Sequence, residues 1–307
     1  MNILGKRYLY FSLSLLVILP GLLALAVWRL PLAIDFTGGS LLEVQFQSGI
    51  APAPAAIAEL YRREFGVGDT QVQTSGADIL LVRSSFLDDA TRARIVTGME
   101  ERFDDTVTVR RFDSVGPTIG REVTARAALA VTVATLAVVI YITYAFRGIA
   151  HAFRYGMCAI IAMIHDVAVV ISVSAIGGHF LGWQIDSLFL TALLTVIGFS
   201  VQDKIVVFDR IRENSTLHRK LPFEALVNHS IVQTLQRSIN TQLMTVQFML
   251  LALALFGGVT LREFAIILLI GLFSGTYSSI FIAAPILVVW ENREWGSLFR
   301  RKRPAAA

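Results

Sequence analysis

Long runs of apolar residues divide the chain, and the segments between them interleave polar and apolar positions. Six runs of about twenty residues carry few charges, at 8–28, 123–146, 155–176, 187–208, 239–256 and 264–290. Each is long enough to cross a hydrocarbon core of about 30 Å as a helix. The first run contains Ala24-Leu25-Ala26, which has the small-x-small form of a signal-peptide cleavage site, but the run is longer than the usual apolar core of such peptides. An uncleaved anchor is expected, and either reading places the next segment outside the cytoplasm.

From 32 to 115 the texture changes. Ser40-Leu41-Leu42-Glu43-Val44-Gln45-Phe46 largely alternates, as a half-buried strand does, and 54–65 reads as a helix with Ile57, Leu60 and Tyr61 on one face. Strands are predicted at 70–73 and 79–83, joined by the turn signal Ser75-Gly76-Ala77-Asp78. A second helix at 88–103 opens on Asp88 and Asp89, and a last strand follows at 107–112. The order βαββαβ predicts a ferredoxin-like split βαβ domain. The expected fold is therefore a membrane all-α six-helix bundle carrying a small α+β extracytoplasmic domain. Its parts are a cytoplasmic N-terminus with the first span (1–30), the α+β domain (31–120), the remaining spans (121–292) with a cytoplasmic loop at 209–236, and a basic cytoplasmic tail (293–307).

Charge orients these spans. Lys6 and Arg7, Arg147 and Arg154, Arg210, Arg212, Arg219 and Lys220, and Arg293 with Arg300 to Arg303 all fall at joins on one side, whereas the opposite joins carry only Arg262. By the positive-inside rule both termini are expected to be cytoplasmic, in a multi-pass protein of the inner membrane. Within the connector after the fourth span, Phe223, Leu226, Val227, Ile231 and Leu235 follow Pro222 at helical spacing. They predict an amphipathic helix at the cytoplasmic interface or a cytoplasmic extension of the fifth span, with a packed connector of no separate role as the open alternative.

Composition adds exclusions. The 307 residues are 55% hydrophobic and 16% charged, against about 45–50% and about 25% in ordinary soluble domains. The spans themselves exclude a soluble enzyme. The net charge of +4 comes from residues beside span ends rather than a soluble basic patch, so no nucleic-acid partner is expected. Residues 31–120 hold eight arginines and thirteen acids, a net charge of −5, which suits a protein partner better than lipid or nucleic acid. Cys158 is the single cysteine, the five histidines show no HxxxH or HExxH spacing, and no GxxxxGK[ST] loop is present. No metal, cofactor or nucleotide is implied.

Ionisable residues at membrane depth cost about 2.5–3.5 kcal/mol each on insertion scales and so point to function. His165 and Asp166 fall midway along the third run, Asp203 and Lys204 toward the end of the fourth, and Arg237 just ahead of the fifth. A buried carboxylate whose cationic partner can move has the parts of a proton switch, and Asp203 with Arg237 or Lys204 is the candidate. A static ion pair fastening two helices is the open alternative. His165 is read as hydrogen-bonded packing before proton relay, and Asp209 at the membrane edge as structural. Gly271 and Gly275 form a GxxxG step, extended by Ser278 and Ser279, that suits close helix contact.

Several of these segments occur together in one family. Asp35-Phe36-Thr37-Gly38-Gly39 resembles the DFTGG signature of the SecD/SecF protein-export family, and the segment from Val115 through Gly116, Pro117 and Gly120 to Glu122 is similar to its VGPxVGxE. Gly198-Phe199-Ser200-Val201-Gln202-Asp203-Lys204, continued by Val206-Val207-Phe208-Asp209-Arg210-Ile211-Arg212-Glu213-Asn214, resembles GYSxND(T/S)xVVxDRIREN. Thr234 to Ser238 is similar to TLxRT. Leu255-Phe256-Gly257-Gly258, Ile270-Gly271 and Gly275 to Ile280 complete the pattern. The resemblance implies an RND-type bundle that sits in the lipid bilayer, pairs with a SecD bundle, contacts the SecYEG translocon and YajC, acts on unfolded preprotein, and draws on the proton-motive force. It also implies that Asp203 is the intramembrane acid and Arg237 its coupled arginine. Two positions depart: Gln202 stands for Asn, and Lys204 for a small hydroxyl residue. Lys204 is expected either to act as a cation beside Asp203 or to snorkel to the interface. A scaffold that carries no protons and an independent RND-like exporter are the competing functions.

Overall fold

The structure is a computed structural model, and it describes residues 2–147, 152–242, 248–257 and 259–294. Their contacts divide into two units. One comprises the described residues of Met1–Pro31, Val131–Trp183 and Leu188–Ala307, the other Leu32–Ala130 with Gln184–Ser187.

A short 3-10 turn leads into the first helix, α1 (Arg7–Trp28). The smaller unit then begins with one helical turn, α2 (Ile34–Thr37), and continues as β1 (Gly39–Phe46), α3 (Pro54–Glu64), β2 (Gln71–Thr74), β3 (Ile79–Ser84), α4 (Asp89–Phe103) and β4 (Val107–Val115). The sheet order is β2-β3-β1-β4 with every neighbouring pair antiparallel. β1 buries Leu42, Val44 and Phe46 in alternation, and these meet Ile57, Leu60 and Tyr61 of α3 and Ile95 and Met99 of α4 in one core. Pro54 opens α3 where a missing N–H costs nothing. Asp88 caps α4 by accepting from Thr91 N at 2.9 Å, so the helix begins one residue later than its acidic pair suggests. The strand expected at 107–112 runs three residues further, because Phe112 to Val115 stay paired with β1 past a register shift at Glu43/Val44.

Among the described residues, five apolar helices are long enough to cross a membrane: Leu4–Trp28, Pro117–Ala145, Ala152–Leu181, Ser187–Leu217 and Leu261–Glu291. The second through fourth are α5 (Pro117–Ala145), α6 (Ala152–Leu181) and α7 (Ser187–Leu217). Next come α8 (Phe223–Gln242) and α9 (Phe248–Phe256), and residues 243–247 of the expected fifth span lie outside the described residues. The last span is built from α10 (Val259–Ser278), a π-helical stretch at Ser279–Ala283 and α11 (Ala284–Glu291). Pro285 follows the widened turn, where the hydrogen-bond ladder its missing N–H would interrupt is already out of step.

Residues 209–217, the start of the connector expected after the fourth span, continue α7 as helix. The stretch after Pro222 is helical, as its spacing predicts, and α8 buries Leu226, Val227, Ser230, Ile231, Thr234 and Ser238 along one face. Its start is clasped to the chain's beginning. Asn228 Oδ1 accepts from Ile3 N at 2.8 Å, and Arg7 pairs with Glu224 at 2.9 Å and Glu294 at 2.8 Å.

Small residues set the closest approaches. Gly21 of α1 abuts Ser172 of α6, and Gly271 of α10 abuts Val196 of α7. Gly275 lies over Ser200, where a Cβ would stand 3.4 Å from its Cα. The GxxxG step is thus a packing seam between α10 and α7.

Candidate functional site

Asp166 lies at the centre of a polar cluster where three apolar helices meet. Its side chain is fully buried, as is that of Lys204, and Lys204 Nζ stands 2.8 Å from Asp166 Oδ2. The same oxygen accepts from Ser200 Oγ at 2.6 Å and Ser278 Oγ at 2.7 Å. Oδ1 accepts from Ser274 Oγ at 2.7 Å and faces His165 Nδ1 at 3.0 Å. Lys204 donates in addition to Ser200 O at 2.9 Å and Ser200 Oγ at 2.5 Å. Helical spacing explains the convergence. Ser200 and Lys204 are i, i+4 on α7, and Ser274 and Ser278 are i, i+4 on α10, so each helix aims two polar groups at one carboxylate. A buried charge is tolerable only when paired and hydrogen-bonded, and both charges here are.

Lys204 therefore neither snorkels nor pairs with its neighbour in sequence. It crosses to α6 and is neutralised there.

Asp203 points elsewhere. It is 6% exposed and has Gln242 and Thr276 within side-chain hydrogen-bond reach, while its Oδ2 has no partner among the described residues. Arg237, exposed on α8, acts on it electrostatically without forming an ion pair among the described residues. Gln202 is exposed on the outer side of α7 and lines a cavity of about 610 Å³ with Tyr141 and Gly198. Asp209 pairs with Arg212 at 2.7 Å, and Arg210 with Glu213 at 2.5 Å and Gln233 at 2.7 Å, which are exposed contacts along and beside α7.

In the smaller unit the Asp35 to Gly39 segment folds as α2 and a tight exit. Gly38 and Gly39 have φ of +75° and +127°, which side chains disfavour, and a Cβ on Gly120 would come within 2.7 Å of Gly38 N. Asp35 Oδ2 accepts from Ser187 N at 2.9 Å. Gly116 precedes Pro117, the first residue of α5. These residues form a backbone junction rather than a reactive centre.

Residues 95–293 match the family described as protein export membrane protein SecD/SecF, C-terminal. The chain belongs to the SecD/SecF family. Residues 24–50 also match the SecD/SecF GG motif, which contains the Gly38-Gly39 pair. The chain is 69% identical to protein translocase subunit SecF of Anaerolinea thermophila and 46% identical to that of Thermobaculum terrenum, covering 100% of the first and 99% of the second and itself covered throughout. It is similar to the crystal structure of SecDF, a translocon-associated membrane protein from Thermus thermophilus, with a TM-score of 0.82 and 32% identity, over 95% of this chain and 39% of that one. The chain thus spans well under half of that SecDF chain. The three serines around Asp166 were not singled out as a group by sequence; their signal is hydroxyl residues four apart within apolar helices, in phase with an acid on another helix.

Proposed function

We propose that this chain acts as the SecF-type subunit of a protein translocase, working in the cytoplasmic membrane beside a SecD-type bundle to move unfolded preprotein through a SecYEG channel, with YajC as a further associate. Full-length identity with proteins named SecF supports the translocase role. Relatives named SecDF, in which this chain corresponds to 34% and 38% of the length, support association with SecD. The bundle has six spans in this reading, RND-type, with residues 239–256 supplying the one beyond the five, both termini cytoplasmic and residues 31–120 outside. The interleaved antiparallel order β2-β3-β1-β4 supports a ferredoxin-like domain there.

Energy coupling is assigned to Asp203, with Arg237 as the cation that moves relative to it. One observation carries this assignment: Asp203 is a buried carboxyl group with an oxygen lacking a donor, whereas both oxygens of Asp166 are saturated. A proton can be added at Asp203 without breaking an ion pair. Replacing it with Asn removes titration and keeps shape. In vesicles holding the complete translocase, proton-driven export should then collapse while the subunits still co-purify. Normal export would favour the scaffold role, for which the absence of an Asp203–Arg237 ion pair is the supporting observation.

A further inference from the structure

Asp35 meets its partner 152 residues further along the chain. Its Oδ2 accepts from Ser187 N at 2.9 Å and from Ser187 Oγ at 2.5 Å, and Ser187 is the first residue of α7. The first N–H groups of a helix have no acceptor within it, and a carboxylate placed there also suits the positive end of the helix dipole. Such a cap is ordinarily supplied by the residue just before the helix. Here a carboxylate from a separate segment takes part, and that segment is tied to the entry of α7 a second time. Leu32 bridges Ile185 in parallel, with Ala33 N donating to Ile185 O at 2.8 Å. All of these residues belong to the smaller unit.

From Asp35 the connection continues without slack. Phe36 N and Thr37 N each donate to Ala33 O at 3.1 Å, and Gly38 N donates to Ile34 O at 2.8 Å, which closes the single turn of α2. Gly38 lies against Pro117 and Gly120, so this turn has little room to give. The chain then enters β1, which is paired on both sides, to β3 and to β4. In the other direction α7 runs unbroken from Ser187 to Leu217 and bears Asp203. Packed, hydrogen-bonded elements in series are what carry a displacement between distant groups.

We propose that Asp35 is a positioning residue of the coupling device: its carboxylate ties the first residue of the helix that bears Asp203 to the turn that opens β1, so that a shift of α7 is passed to the sheet. This rests on the reading of Asp203 as the coupling acid and adds to it the point of transmission. A neighbouring hydrogen bond supplies the control, since Thr124 Oγ1 of α5 donates to Phe36 O at 3.0 Å and involves neither Asp35 nor α7.

Hydrogen exchange of the Gly39–Phe46 peptide tests the link, in the complete complex held in lipid nanodiscs, with Asp203→Asn standing for the proton-loaded acid. Asp203→Asn should change the exchange rate of that peptide by about threefold or more. In an Asp35→Ala background the change should vanish, and in Asp35→Asn, whose side-chain oxygen still caps, it should return. Ser187→Pro keeps the answer within reach where Asp35→Ala fails to assemble. Proline suits the first helical position and removes both donors to Asp35, so this variant should behave as Asp35→Ala does. Thr124→Val should leave the change intact. A change that is missing from the parent background, that persists in Asp35→Ala or Ser187→Pro, or that Thr124→Val abolishes as well, would overturn the role of Asp35. Export measured on the same preparations separates the two claims. Loss of proton-driven export in Asp203→Asn, with an exchange response that ignores Asp35, removes the transmission alone; normal export in Asp203→Asn removes the coupling reading beneath it.

Discussion

Lys204 Nζ and Asp166 Oδ2 stand 2.8 Å apart with neither side chain reached by solvent. Removing one partner of such a pair leaves the other as an uncompensated buried charge, which costs about 3–5 kcal/mol, whereas replacing both by apolar groups of similar volume is often neutral. Lys204→Met should therefore lower the thermal unfolding midpoint of the detergent-purified protein sharply. Adding Asp166→Leu should recover most of that loss. A double variant no better than the single one would show that the serine hydroxyls, left without their acceptor, outweigh the pair.

Asp203→Asn should behave in the opposite way. It removes a buried negative charge that lacks a donor on one oxygen, so stability should stay within about 1 kcal/mol of the parent. Proton-driven export should fall at least tenfold. Denaturation curves and export measured on one preparation would distinguish loss of coupling from loss of fold.

These two acids also mark how far the sequence could be read. Strand and helix order followed from alternation and from Pro54 and Asp88, since local backbone chemistry set those boundaries. Five of the six expected apolar spans, among the described residues, followed from length and apolarity alone. Which polar groups meet inside them did not, because that depends on the rotation of each helix about its axis. Asp203 and Lys204 are neighbours in sequence and about 100° apart around α7, so one faces α6 while the other has α8 and α10 side chains within reach. Arg237 is expected as a partner of Asp203, yet it is exposed on α8 and the two form no ion pair among the described residues. The charged 209–217 segment continues α7, and its ion pairs at i, i+3 suit a helix surface.

Gly271→Leu should separate α10 from α7. Even a Cβ there would overlap Val196, and overpacked cores lose about 1–3 kcal/mol or more. Cysteine crosslinking between α7 and α10, together with the unfolding midpoint, would report the change. Gly198, with open space around its Cβ position, is the matched control, and Gly198→Ala should be tolerated.

Acid should loosen the smaller unit. A hydrogen bond with Thr91 holds Asp88 below the usual carboxylate range, and bonds from Ser48 do the same for Asp105. A group whose folded value is depressed adds stability above its unfolded value, about 3.9, and that stability is lost as pH falls through the folded value. Protection of β1 and β4 amides from hydrogen exchange should hold from pH 7 to about pH 5 and decline below about pH 4. Asp88→Asn keeps a capping oxygen but cannot titrate, so it should flatten part of that decline.

The widened turn at Ser279–Ala283 has a bearing on how the last span can serve two neighbours. An extra residue in one turn slips the phase of everything beyond it by about 100° relative to an unbroken α-helix. Ser274 and Ser278 are thereby aimed at a carboxylate, while Ala284 to Val289, all buried, keep an independently set orientation. Deleting a single residue from 279–283 would bring Pro285 into a regular ladder, where its ring meets a carbonyl, and would swing one half of the span away from its contacts. Length in this segment is consequently as constrained as composition, although neither hydrophobicity nor charge would reveal it.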